Sequence, residues 1–169
     1  MSPFKLKPTL LALAIIGKSC VGCGPVPQHE TNVLTTLATP ITVDCIRCDR
    51  SVMEDAINQW NAGTGMKAFE LSNGIAPPFV MITIVQDVPG PDQGYAVLYP
   101  DRCAIDIEGV MMHRWWLMMH EMGHCLGFDH SSNPTSMMYK NTNYKSEITP
   151  EIIEILETLI NSDNQKGEI

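Results

Sequence analysis

Two hydrophobic rhythms alternate along this chain. Between Ser51 and Asn61 the apolar residues are Val52, Met53, Ala56, Ile57 and Trp60. Their i,i+4 spacing predicts one buried face of an amphipathic helix, with Gly63 as its stop. Elsewhere the rhythm is that of strands. Ile41–Cys45 (ITVDC) is short and β-branched, and Lys67–Leu71 reads as a second strand. Phe79–Val85 (FVMITIV) is almost continuously apolar, as expected of a strand buried on both faces. Tyr95–Tyr99 and Cys103–Ile107 follow as two more strands, parted by Pro100 and Asp101. Helical spacing returns over Val110–Leu126. A last helix is expected over Thr149–Ile160, with Thr149 as N-cap and Pro150 in the first turn. The order β-α-β-β-β-β-α-loop-α implies an α/β sandwich around one mixed sheet.

The N-terminus has a different character. Lys5 and Lys7 precede the apolar run Leu10–Ile16, which is too short to span a bilayer permanently. Residues 1–23 are therefore expected to be an export signal. Cys20 and Cys23 (CVGC) resemble the end of a bacterial lipoprotein signal, so lipidation is set against plain secretion. Any membrane attachment would then run through that lipid. Residues 24–35 are polar and contain proline, as expected of a linker. Residues 36–169 are expected to form a single domain. The chain has 169 residues, 44% hydrophobic and 18% charged, enough for a real core. The net charge of −8 comes without clustered Lys or Arg, which argues against nucleic acid as a partner.

The chemistry concentrates in "MMHEMGHCLGFDHSS", Met118–Ser132. Four helical residues turn a side chain by about 400°, so His120 and His124 share a face roughly 6 Å apart along the axis. Both imidazoles can then reach one Zn²⁺ at about 2.0–2.1 Å. Glu121 stands beside such a metal without binding it and can take a proton from a water on the metal. His130 lies six residues beyond His124, which no straight helix places on the same face. The chain must turn after Leu126, and Gly127 can take the left-handed conformation such a turn needs. Three histidines with an open fourth position make a catalytic zinc site, whereas structural sites close their shell. His29 and His113 read as ordinary surface histidines.

"HEMGHCLGFDH" resembles the H-E-x-x-H-x-x-G-x-x-H signature of the metzincin zinc endopeptidases at every fixed position. Met138 in "SMMY" matches the family's methionine turn. Ser131 and Tyr139 look like the matrixin branch, the family of matrix metalloproteinase catalytic domains. Lys140 stands where other branches place a zinc-binding tyrosine. The resemblance implies a zincin-like α+β fold: a twisted five-stranded sheet, four strands parallel and an antiparallel edge strand at Tyr95–Tyr99, a long active-site helix, the methionine turn and a C-terminal helix. It implies a zinc-dependent endopeptidase acting on extended peptide or protein substrates through a zinc-bound water activated by Glu121. Substrate would pair with the edge strand near Ala96, Val97 and Leu98, and Tyr139 would border the specificity pocket. A monomer is expected. The alternatives are a non-catalytic zinc-binding module that keeps this fold and another metzincin branch.

Departures from the resemblance are as informative. No segment able to cap the zinc with a cysteine fits between the signal and Ile41. The histidine-and-aspartate loop that holds a second zinc and calcium is missing. Asp92, Asp101, Asp106 and Glu108 offer carboxylates for Ca²⁺, but read first as solvated charge. Export favours disulfides. Setting aside Cys20 and Cys23 leaves Cys45, Cys48, Cys103 and Cys125, with three pairings. In the implied parallel sheet, Cys45 follows the end of one strand and Cys103 begins another, so they lie at opposite ends. The long helix brings Cys125 back towards Cys103. Cys103–Cys125 and Cys45–Cys48 are therefore expected; the alternative for the latter is a reduced or redox-active C-x-x-C pair.

Overall fold

The computed structural model describes residues 39–88, 92–99 and 101–164. The expected signal, the linker, Cys20, Cys23 and His29 lie outside the described residues.

Five strands form one sheet: β1 (Ile41–Ile46), β2 (Phe69–Leu71), β3 (Val80–Val85), β4 (Gly94–Leu98) and β5 (Cys103–Glu108), in the order β2-β1-β3-β5-β4. Four strands run parallel, and β4 closes one edge antiparallel to β5, with Ala96 opposite Ile105. The mixed sheet and its antiparallel edge strand are those expected from the sequence. Register puts Val43 beside Val80 and Val80 beside Cys103, while Ile82 meets Ile105 and Ile84 meets Ile107. All of these residues are buried, so one face of the sheet carries the core. On β3, Met81, Thr83 and Val85 are only half-buried. The strand thus alternates, which corrects the expectation of burial on both faces. Two of its three solvent-side residues, Met81 and Val85, are apolar, and periodicity alone cannot separate that case from full burial.

Helix α1 (Arg50–Thr64) starts at Asp49, whose carboxylate accepts from Ser51 N at 2.9 Å. It ends at Gly65, with φ 68, and not at Gly63, which lies inside the helix against Ile148. Trp60 is fully buried on its inner face and donates from its indole to Met119 O at 3.0 Å, tying α1 to the next helix. Asn61 bonds both N and O of Phe69, which pins β2.

The expected single helix over Val110–Leu126 is two pieces. A 3₁₀ turn at Gly109–Met111 leaves β5, and α2 (Trp115–Cys125) starts only after Arg114, at φ −97 and ψ 86. The chain must turn from the sheet into the helical layer here. Val110, 73% exposed, shows that the apolar residues of the turn do not form a buried helical face. Helix α3 (Pro150–Asn164) follows Thr149. Thr149 does not cap it as expected: its hydroxyl is buried without a hydrogen-bond partner among the described residues, while its carbonyl accepts from Ile153 N at 3.2 Å. Two disulfides, Cys45–Cys48 and Cys103–Cys125, complete the frame. The second joins the start of β5 to the end of α2, so the helix that carries the histidines is anchored to the sheet at its far end. No helix among the described residues is long and apolar enough to cross a membrane.

Candidate metal centre

Helix α2 is buried from Leu117 to Gly123, so its polar residues need partners inside the protein. His120 Nδ1 meets Met137 O at 2.8 Å, and His124 Nδ1 meets Phe128 O at 2.7 Å. A carbonyl only accepts, so both rings must carry their proton on Nδ1. Each Nε2 is left with a free lone pair. These lone pairs converge: His120 Nε2 lies 3.2 Å from His124 Nε2 and 3.1 Å from His130 Nε2.

The third histidine arrives by a turn. Leu126 N and Phe128 N bond to Gly123 O, Gly127 N bonds to His124 O, and Gly127 has φ 85. A β-carbon there would meet the steric penalty of the left-handed region. The chain then reverses, and Ser131 N donates to Met138 O at 2.8 Å. Ser131 and Tyr139 form a short bridge, which zips the His130 segment to the turn holding Met137 and Met138. Both methionines are buried, and Met137 N is held by Glu147 O at 2.7 Å.

Gly123, which sequence reasoning passed over, makes this packing possible. A β-carbon at 123 would run into Met138 Sδ, with the Trp60 ring close behind. A glycine inside a helix costs about 1 kcal/mol relative to alanine, and that cost was the available signal that something packs closely there.

Burial pushes the His120 imidazole down to about 4, against the opposing effect of its hydrogen bond to Met137 O. Burial, then the neighbouring charges of His120 and His130, pushes His124 down to about 3. His130, although exposed, is lowered as well, chiefly by partial desolvation of its ring. All three are neutral at pH 7, the form that ligates metal. Glu121 moves the other way: burial, then the Asp92 charge, lifts its carboxyl to about 8.

The Nε2 lone pairs of His120 and His124 face each other with no proton between them, and a cation where they meet His130 Nε2 relieves that repulsion. Tetrahedral ligands at zinc distance stand about 3.3 Å apart, close to the spacing found. The donor set therefore fits zinc. Among the described residues, these histidines are the one cluster of side chains arranged to hold a metal ion.

A cleft of about 470 Å³ opens over the three histidines. Leu117 and Glu121 of α2 line it together with Asp92, Gln93, Gly94, Tyr95 and Ala96. Lys140, Asn141 and Thr142 complete its lining. Of the expected strand contacts only Ala96 lines the cleft; Val97 and Leu98 continue along the edge beyond it. Tyr139 is half-buried beside the lining rather than in it.

The matrixin family model matches residues 55–154, which take in the whole of this site. The chain belongs to the matrixin family. No curated protein matches it at a significant level. As a matrixin with a three-histidine centre that fits zinc, it has the equipment of a zinc metalloprotease. The matched span begins within α1 and ends within α3. It covers β2 to β5, α2 and the methionine turn.

Proposed function

We propose that this matrixin is an exported zinc endopeptidase that cleaves extended peptide or protein substrates. The observation that carries the reading is the convergence of three neutral imidazoles beside a buried carboxylate, under a cleft bordered by a free sheet edge. His120, His124 and His130 would hold the metal. Zinc, when bound, polarises a carbonyl and makes water a better nucleophile at neutral pH.

The rest of the work falls to the chain. The outer edge of β4 has backbone groups that β5 does not use, so an extended peptide can add there as a further strand. Ala96 lies where that edge meets the cleft. Such pairing reads backbone, and it places the scissile bond above the histidines whatever the flanking side chains. Glu121 takes a proton from the attacking water and delivers it to the departing amine nitrogen. Burial and Asp92 raise its proton affinity, and a nearby dication opposes both. The carboxylate is thereby poised to accept and release a proton near neutrality. The two disulfides support an oxidising compartment.

The test is a library of unstructured peptides incubated with the zinc-loaded protein and read by mass spectrometry. Internal cleavage should appear, vanish with a chelator and return with added zinc. Intact peptides throughout would overturn the reading and leave a zinc-binding module.

The pH dependence of metal retention follows from the histidines. Metal needs neutral imidazole, and a depressed pKa extends the neutral form to lower pH. Protons begin to compete only as pH falls towards about 4 for His120 and about 3 for His124. Zinc content after dialysis should hold at pH 6 and fall as pH drops through about 4 towards about 3. Half-release near the ordinary histidine value of about 6.5 would contradict the burial argument.

A further inference from the structure

We propose that Gly94, the first residue of the edge strand, is a positioning residue for the Glu121 carboxylate. The inference rests on the peptidase reading and concerns how the base is held.

Three observations lead to it. A β-carbon built at Gly94 would lie 2.7 Å from Glu121 Oε1 and 3.0 Å from both Cδ and Cγ. Real β-carbons do not approach so closely, so the carboxylate occupies the very space a side chain at 94 would fill. Second, the backbone does not ask for glycine here. The positive-φ glycines of the described residues are Gly65, Gly74 and Gly127, so Gly94 has a conformation that alanine adopts freely. Third, Glu121 is buried, 5% exposed, and lines the same cleft as Gly94. The carboxylate is located by its walls, and Gly94 is the wall on the strand side.

The geometry has a functional consequence. A substrate pairing with β4 would be registered against the same strand whose first residue locates the base. Base and scissile bond would share one reference. A methyl group at 94 would push the carboxylate away from the strand while leaving the strand's backbone groups in place. A displacement of about 1 Å in catalytic geometry costs on the order of 100-fold.

The experiment on the full-length protein joins the kinetics of one variant to one thermal double-mutant cycle. In Gly94→Ala, kcat for a peptide substrate should fall by about 100-fold with KM and zinc content unchanged. The melting temperature should fall by roughly 5 °C in that variant, because the site is overpacked. It should not fall when Gly94→Ala is added to Glu121→Ala, where the space is free. That thermal cycle needs no activity and no substrate. Additive thermal effects would overturn the contact. A coupled thermal cycle with wild-type kcat in Gly94→Ala would overturn the positioning role. A zinc-loaded wild type that cleaves nothing would sink the peptidase reading itself, and the thermal cycle would still decide whether Gly94 locates the carboxylate.

Discussion

Replacing Glu121 by glutamine should leave zinc bound at one ion per chain and lower peptide cleavage by about 10²–10⁴-fold. The substitution keeps the shape of the side chain and removes its capacity to carry a proton. The three histidines that converge on one point are untouched, so metal content should not change. Nor should the fold suffer. Glu121 is 5% exposed, and a buried amide escapes the cost of a buried charge. The Gly94 contact is the same for an amide as for a carboxylate. A fall in activity with zinc, melting temperature and substrate affinity all preserved isolates proton transfer as the missing step. The measurement is kcat and KM on one peptide, with metal content by mass spectrometry on the same preparation. Cleavage by purified Glu121→Gln at the wild-type rate would remove Glu121 from the mechanism and require another base in the cleft.

The legibility of this molecule in its sequence follows the range of the interactions concerned. His120, Glu121 and His124 sit on one helix, where spacing alone sets geometry. Gly127 announces the turn that carries the chain to His130, because few residues tolerate φ 85. The strands are legible as short β-branched and apolar runs, though the alternating burial of β3 was not, and the antiparallel edge strand follows from the matrixin resemblance. What escaped depends on contacts between distant segments. Gly94 and Gly123 look like ordinary glycines until Glu121 and Met138 are placed against them. The break at Arg114 is invisible in a run of methionines and tryptophans that would suit a helix equally well. Thr149 has the residue type and position of a cap, yet its hydroxyl is buried away from any partner. The cleft lining at Lys140–Thr142 is likewise a matter of loop path, and no local pattern encodes it.

His130→Ala should weaken zinc binding by more than the roughly 10–100-fold that loss of an outer partner of a ligand costs. Of the three histidines it is the most discriminating to remove. His120 and His124 also satisfy the buried carbonyls of Met137 and Phe128, so truncating either leaves an unpaired acceptor and mixes metal loss with damage to the fold. The residue at 130 is exposed, follows the Gly127 turn, and is held through the backbone bond of Ser131 to Met138 rather than through its own ring. Its loss should therefore leave the metal-free melting temperature within about 2 °C of the wild type, while the zinc-dependent rise in that temperature shrinks. Competition with a chromophoric chelator gives the affinity, and thermal melts with and without zinc give the linkage. The exposed His113, outside the cluster, is the matched control, and His113→Ala should behave as wild type. Wild-type zinc affinity in His130→Ala would show that two helical histidines suffice. The Gly127 turn would then have to be explained by something other than the delivery of a third ligand.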